Sequence, residues 1–337
     1  MSGVRSFAFR PRLVLAALVA VGCGQNRGLP AAGPLKPEWY LIDADDRPAP
    51  GQFLRYAPAG PNGGGLDIAV TDFEPGVGTP LERGPTVHLV GVVHVADSRY
   101  YEAMQQELDG YDEVLYEGVM PAEMDGARWQ RSMLETGGEL GKMQQEIADW
   151  FAFRYQMEAI DYGRRNLVHA DMSLEEFRVA GAERMGLVPR EADPPTSTGG
   201  AAGGGSAGGG ASGSSVKSAT DAVMSTWTTV RGLARVALGE GGPLQSLGRR
   251  LFAETMGTQD IGTSLDFVPG LSDLILTKRN DVVMKVLDVE RKKVSGRLAI
   301  FYGAAHMKDL AKRLEAQGYR RIGAKWMRAW VLRPPIR

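Results

Sequence analysis

Two distant stretches of this chain share one pattern: an apolar run, then Gly-x-x-His, then an amphipathic helical segment that ends at glycine. The first, VHLVGVVHVADSRYYEAMQQELDG, contains Gly91 and His94, and the second, LAIFYGAAHMKDLAKRLEAQG, contains Gly303 and His306. Apolar, β-branched runs of this kind indicate strands buried on both faces, as in parallel sheets covered by helices. The repeat therefore predicts an α/β fold with a central, mostly parallel sheet built from two βα halves.

The first half also predicts the local topology. The helix after His94 should begin with Ser98 as its N-cap, and DEVLYEGV at 112–119 should form the next strand. Strand, helix and strand in this order form a βαβ unit with parallel neighbours and a right-handed crossover. We expect a further strand at GLDIAVTDFEP and a closing antiparallel pair that turns near Gly323.

Composition divides the rest of the chain. Residues 24–60 are rich in Gly, Pro and Ala and predict a flexible tether before a folded domain at 61–332. Residues 127–292 read as a helical insertion that forms a roof, with a capping box at Ser173 and Glu176. Inside it, the Gly- and Ser-rich segment 193–216 has too little apolar surface to fold and is expected to be a disordered loop.

The first 23 residues have the features of an export signal. Arginines at positions 5, 10 and 12 precede a short apolar run at 13–22 and then the chain's single cysteine, Cys23. The segment resembles a bacterial lipoprotein signal, which implies acylation of Cys23 and attachment to the cell envelope, with the protein facing the periplasm or the exterior. A plain secretory signal with an incidental cysteine is the alternative. The formal net charge of −1 gives no indication of nucleic-acid binding.

Three side chains follow predicted strands and are candidates for a shared site. In open α/β sheets, ligands bind beyond the carboxyl ends of the strands, where His94, His306 and Glu117 are expected. Two imidazoles and a carboxylate can ligate zinc or manganese, or act as general bases without a metal. The alternative is that both histidines are helix-entry residues whose rings bond to the backbone.

These motifs together resemble the TraB/GumN/TIKI family, within the group of erythromycin esterase and ChaN-like proteins. The resemblance rests on GVVHVADS, YDEVLYEGV, TKRNDVVMKVL and AIFYGAAHMKDLAKRL and covers roughly residues 85–318, less the glycine-rich segment. His94, Glu117 and His306 match the family's motifs. Arg279 and Asn280 match its Arg-Asn element, although a lysine precedes them where an acidic residue is common.

The resemblance implies an α/β domain with a helical insertion between two βα halves. It also implies a divalent metal, manganese or cobalt, held by His94, Glu117 and His306, and a metal-dependent, peptidase-like hydrolase acting on a peptide or a small molecule. Esterase-like relatives break ester bonds. A non-catalytic lipoprotein that binds a peptide or a signal in the same crevice is the alternative function.

Four further residues, Arg279, Asp171, His169 and His88, have functional or structural interpretations. Arg279 could stabilise developing negative charge, hold a substrate carboxylate or pair with Glu117, or could be a surface arginine. Asp171, which resembles an aspartate that often follows the family's middle strand, could orient a histidine or cap a helix. His169 could be a third ligand or a solvated loop residue, whereas His88 in mid-strand is expected to be a packed core histidine.

Overall fold

The computed structural model describes residues 37–60, 63–136, 139–184, 243–258 and 272–332. The signal segment with Cys23, the first part of the predicted tether and the predicted loop at 193–216 lie outside these residues. Among the described residues, no helix combines the length and the apolar character needed to cross a membrane.

A seven-stranded mixed sheet forms the centre of the described fold. Its strands are β1 (Leu54–Gly60), β2 (Gly63–Pro75), β3 (Thr86–Val92), β5 (Glu113–Tyr116), β7 (Leu167–His169), β8 (Arg297–Gly303) and β9 (Tyr319–Leu332). Strands β3, β8, β5 and β7 are neighbours in that order and all parallel, whereas β1, β2 and β9 pair in antiparallel fashion. The expectation of an α/β fold with a mostly parallel central sheet is confirmed.

Helices cover both faces of this sheet. They are α1 (Ser98–Asp109), α2 (Gly126–Thr136), α3 (Glu139–Phe151), α4 (Gln156–Ala159), α5 (Leu174–Arg184), α6 (Pro243–Thr258), α7 (Lys278–Glu290) and α8 (Met307–Ala316). Helix α1 packs Met104 and Leu108 into one apolar core, while α7 and α8 contribute Leu287 and Leu310 to a second core. Alternate residues of the parallel strands supply both cores, as the near-continuous apolar runs predict.

The prediction that the two strands of the first βαβ unit are neighbours is wrong. Strands β3 and β5 are parallel, but β8 lies between them and pairs with both. Burial explains this order. The five residues from Leu298 to Tyr302 are all buried, and a central position in the sheet covers both faces and both edges of such a strand. Strand β5 has only four residues.

Two sequence expectations at the ends of the domain are wrong. Residues 54–60, expected to be tether, form β1, because β2 offers a long edge and Arg55 forms ion pairs with Asp46 and Asp67. Residues 319–332 form one strand along β2 rather than a turning pair. Gly323 pairs with Asp72, and the register shifts next to it, so the glycine lies at an irregularity and not at a turn.

Local signals at helix ends agree well with the structure. In the capping box, the Ser173 N–H donates to Glu176 Oε2 at 2.7 Å and the Glu176 N–H donates to Ser173 Oγ at 3.2 Å. Helix α1 begins at Ser98 with Asp97 at the N-cap, one residue before the predicted cap. A short two-stranded sheet, β4 (Val95–Ala96) with β6 (Arg154–Tyr155), joins the segment after His94 to the chain beyond α3.

Candidate functional site

Four candidate side chains follow four neighbouring parallel strands. His94 follows β3, His306 follows β8, Glu117 directly follows β5, and Asp171 follows β7. Because these strands are parallel and adjacent, their carboxyl ends lie along the same edge of the sheet. The strand order therefore brings together residues that are more than two hundred positions apart in the chain, such as His94 and His306.

Glu117 is the centre of this group. Its Oε1 lies 2.7 Å from Arg279 Nη2 and 3.6 Å from His306 Nε2. Its Oε2 accepts a hydrogen bond of 2.5 Å from the Gly303 N–H. Only 14% of the Glu117 side chain is exposed, so a guanidinium, an imidazole and a backbone amide supply most of its surroundings.

The surroundings keep this carboxylate ionised. Burial by itself raises the pKa of Glu117, but the positive charge of Arg279, followed by His306 and then His94, brings that pKa well below its ordinary value. Glu117 is therefore a negatively charged group beside Arg279 and His306.

Arg279 bridges two carboxylates at the sheet edge. Its Nε donates to both oxygens of Asp171, at 3.0 and 3.1 Å, and its Nη2 donates to Asp171 as well as pairing with Glu117. Desolvation opposes the charged form, but Glu117 and Asp171 outweigh it, so the pKa of Arg279 is raised. Of the roles expected from the sequence, pairing with Glu117 is the one that these contacts show.

Asp171 has a role that the sequence did not predict. Its side chain is fully buried and also accepts hydrogen bonds from the backbone N–H groups of Gly118 (2.9 Å) and Met172 (2.7 Å). It therefore anchors Arg279 rather than orienting a histidine, and it does not act as the cap of α5, which has the Ser173 capping box. The buried Asp171–Arg279 pair sets the position of the guanidinium group that holds Glu117.

Each imidazole contacts a side-chain amide through Nδ1. His306, only 3% exposed, lies 2.7 Å from Asn280 Oδ1, and Asn280 donates through Nδ2 to Asp309 at 2.8 Å. His94 is exposed, and its Nδ1 lies 3.0 Å from Gln156 Oε1. The alternative expectation, that the rings would bond to the backbone, does not describe either contact.

Gln156 and Asp309 were missed in the sequence, and Asn280 was noted only as part of a motif. Gln156 lies at the start of α4, more than sixty residues after His94, with no motif around it. Asp309 is in α8, three residues after His306. The short spacing from His306 is the one sequence signal for Asp309. That signal is weak, because an acidic residue in the first turn of a helix is usually explained by the helix dipole.

The residue types at the site are those that ligate divalent metals. His94, His306 and Glu117 supply two imidazoles and a carboxylate, and hydrogen bonding of Nδ1 to an amide oxygen is a usual arrangement for a metal-binding histidine. Within the described residues, no three His, Cys, Asp or Glu side chains form a metal-ligand cluster. The two oxygens of Glu117 are bonded to Arg279 and Gly303 in this arrangement.

The other histidines have structural contacts. His88 is 7% exposed, with Nδ1 at 2.7 Å from Asp72 Oδ1 and Nε2 at 3.1 Å from Thr86 Oγ1, which confirms the expected packed core residue. His169 is half-buried, and its Nε2 lies 2.6 Å from the carbonyl oxygen of Gly118. It is thus a bonded residue at the end of β7 rather than a solvated loop histidine.

Comparison of the chain with protein-family models, with curated proteins and with solved structures finds no match. The geometry of the site is therefore the structural basis for a function.

Proposed function

We propose that this protein is a metal-dependent hydrolase, peptidase-like in its action, with His94, Glu117 and His306 as its central groups. The observation that carries the proposal is a buried carboxylate that pairs with Arg279 and lies beside His306, with His94 following the strand next to that of His306. Imidazole groups are suited to moving protons during hydrolysis.

Each residue of the site has its own part in the proposed reaction. Glu117, anchored by Arg279 and by the Gly303 N–H, is a negative charge 3.6 Å from His306 Nε2. When no metal is bound, His94, which is exposed, can take a proton from water or return one to the leaving group. A bound manganese, cobalt or zinc ion, held by His94, Glu117 and His306, would supply Lewis acidity for the water and the scissile carbonyl.

The resemblance to the TraB/GumN/TIKI family supports the peptidase-like assignment, and its esterase-like relatives support an ester as a second substrate class. The finer architecture is part of the same proposal: two βα halves, with the helical part of 127–292 as a roof that shapes the substrate pocket. The signal at 1–23 supports attachment to the bacterial cell envelope through acylated Cys23. A Cys23→Ser variant should then lose both lipid labelling and its place in the membrane fraction.

The test uses the chain without residues 1–23, stripped of metal and titrated with manganese, cobalt and zinc. Each form is assayed with a fluorogenic peptide library and with simple esters. The His94→Ala/His306→Ala double variant removes the site, and His169→Gln is the matched control because that histidine bonds to Gly118 instead. We expect turnover that needs metal, survives in the control and falls by about 10²–10⁴-fold in the double variant.

Two outcomes would contradict the proposal in different ways. Metal uptake that is absent, or unchanged in the double variant, would remove the metal from the mechanism. A lack of turnover on every substrate, together with peptide binding that the double variant loses, would favour the binding lipoprotein of the same fold.

A further inference from the structure

We propose that Gln156 and Asn280 are positioning residues that keep the proton of His94 and of His306 on Nδ1. Nε2 is then the nitrogen of each ring that exchanges a proton or takes a ligand. The inference depends on the proposed site, because it assigns the working atom of each imidazole. Neither residue belongs to a Gly-x-x-His motif: Gln156 opens α4, and Asn280 lies in the first turn of α7.

For His306, a chain of hydrogen bonds determines the tautomer. The carboxylate of Asp309 can only accept, so the Asn280 group that faces it at 2.8 Å must be the NH2. The carbonyl oxygen of Asn280 then faces His306 Nδ1 at 2.7 Å, and that nitrogen must donate. Asp309 is itself held by Arg313, whose Nε lies 2.5 Å from Oδ2.

Burial makes this chain rigid at its inner end. Asn280 is fully buried and His306 is 3% exposed, so no bulk water competes for either group. The Tyr302 ring packs edge-on against His306, with 5.2 Å between the ring centroids. His306 Nε2 consequently faces Glu117 Oε1, 3.6 Å away.

For His94, Gln156 makes contacts with both the backbone and the ring. The Gln156 N–H donates to the His94 carbonyl oxygen at 2.9 Å, while Gln156 Oε1 lies 3.0 Å from His94 Nδ1. The remaining NH2 donates to the Tyr162 hydroxyl at 2.7 Å in a buried position. With its amide oriented in this way, Gln156 accepts from Nδ1–H and leaves Nε2 of the exposed ring available for a proton or a ligand.

The test reads the tautomers directly from two-bond proton–nitrogen NMR spectra at about pH 8, above the ordinary histidine pKa of about 6.5. The chain has four histidines, so single variants assign every signal. We expect Nδ1 of His94 and of His306 to carry a proton in the native protein. Gln156→Met should move His94 alone toward the Nε2-protonated tautomer that imidazole favours in water, and Asn280→Leu should do so for His306.

Conservative variants separate positioning from a loss of folding. Gln156→Glu retains an acceptor for His94 and should retain the native tautomer. The Asn280→Asp/Asp309→Asn exchange reverses the amide and the carboxylate but keeps an acceptor at His306, so it should restore the tautomer that Asn280→Leu loses. Asn166→Leu is the matched control, because Asn166 donates to the backbone carbonyls of Leu108 and Tyr111 and touches no histidine.

A second measurement is the affinity for manganese or cobalt alone, which should fall by about 10–100-fold in Gln156→Met and Asn280→Leu. It should not fall in the Asn166→Leu control. An unprotonated Nδ1 on either ring of the native protein, or a tautomer that Gln156→Met leaves unchanged, would overturn the inference. The spectra need no substrate, so failure of the inference and failure of the hydrolase proposal are distinguishable.

Discussion

The two Gly-x-x-His motifs are alike in sequence but produce two different environments. His306 is 3% exposed and is contacted on both nitrogens, by Asn280 and by Glu117. His94 is exposed, and its ring has one hydrogen-bond contact, with Gln156. The difference makes His306 a buried part of the site and leaves His94 as the solvent-accessible histidine.

The segments beyond the two strands cause this difference. After β8, the chain enters a 3₁₀ turn at Ala304–His306 and continues directly into α8, so His306 is covered where the helix begins. After β3, the chain instead forms β4, which pairs with β6, and α1 begins only at Ser98. His94 lies in the link before β4, outside any helix.

The two glycines differ as well. A Cβ at Gly91 would lie 2.9 Å from Ile68 Cγ2 and 3.3 Å from the Ala69 carbonyl oxygen, so this position needs glycine because β2 is close. A Cβ at Gly303 would lie 3.2 Å from Glu117 Oε2. The first glycine therefore serves the packing of the sheet, while the second leaves room for the carboxylate of the site.

The largest expected effect concerns the part that both halves share. Arg279→Leu removes the charge that bridges Glu117 and Asp171 and leaves two carboxylates without their partner. Breaking a buried pair in this way should lower the free energy of unfolding by about 3–5 kcal/mol, as measured by urea denaturation. A loss below about 1 kcal/mol would show that water reaches these carboxylates, and would weaken the case for a desolvated site.

The histidines themselves offer a direct comparison of the two halves. His306→Ala should destabilise the protein by about 1–3 kcal/mol, because the buried amide of Asn280 loses its partner. His94→Ala should stay within about 0.5 kcal/mol of the native stability, since its ring is exposed. Each variant should nevertheless abolish most hydrolysis. Equal losses of stability in the two variants would contradict the difference between a buried His306 and an exposed His94.

Substitution of the two glycines should separate stability from activity, with Gly91 affecting mainly stability and Gly303 mainly activity. Gly91→Ala should cost about 1–3 kcal/mol through overpacking against β2, with the site chemistry retained in the folded fraction. Gly303→Ala should lower the free energy of unfolding by less than Gly91→Ala does, because its φ of −51° and ψ of 141° suit any residue and its Cβ would crowd only the end of a side chain, at 3.2 Å from Glu117 Oε2. It should lose activity by shifting Glu117. Calorimetry and turnover per folded molecule, measured on both variants, would separate the two effects.

The smallest expected effect comes from a third histidine, His88, on the same strand as Gly91. Burial raises the pKa of its partner Asp72, but the hydrogen bond and charge of His88 outweigh burial, so that pKa is lowered. A lowered carboxyl pKa adds stability above the unfolded pKa of about 3.9 that is lost at lower pH. The stability gap between the native protein and Asp72→Asn should therefore narrow as the pH falls from about 5 to about 3 in urea titrations. A stability difference that does not change with pH would show that His88 does not lower the pKa of Asp72.

Residue patterns alone were enough for the local elements and for the edge of the sheet that carries the site. The apolar run LAIFYG predicted β8 to within one residue of its observed bounds, and the spacing of Ser173 and Glu176 predicted the capping box. Both signals act within a few residues, through side-chain alternation or a single turn of helix. Local strand patterns also predicted that His94, Glu117 and His306 follow strands, and those strands end at one edge of the sheet.

Only the tertiary structure decided which of these residues meet. The insertion of β8 between β3 and β5 brings the Gly303 N–H to Glu117, across 186 positions of sequence. The Arg279–Asp171 pair spans 108 positions and makes Asp171 an anchor, and Gln156 reaches His94 across 62. Strand order and buried hydrogen-bond partners depend on how whole elements share the core, and no short pattern of residues records that choice.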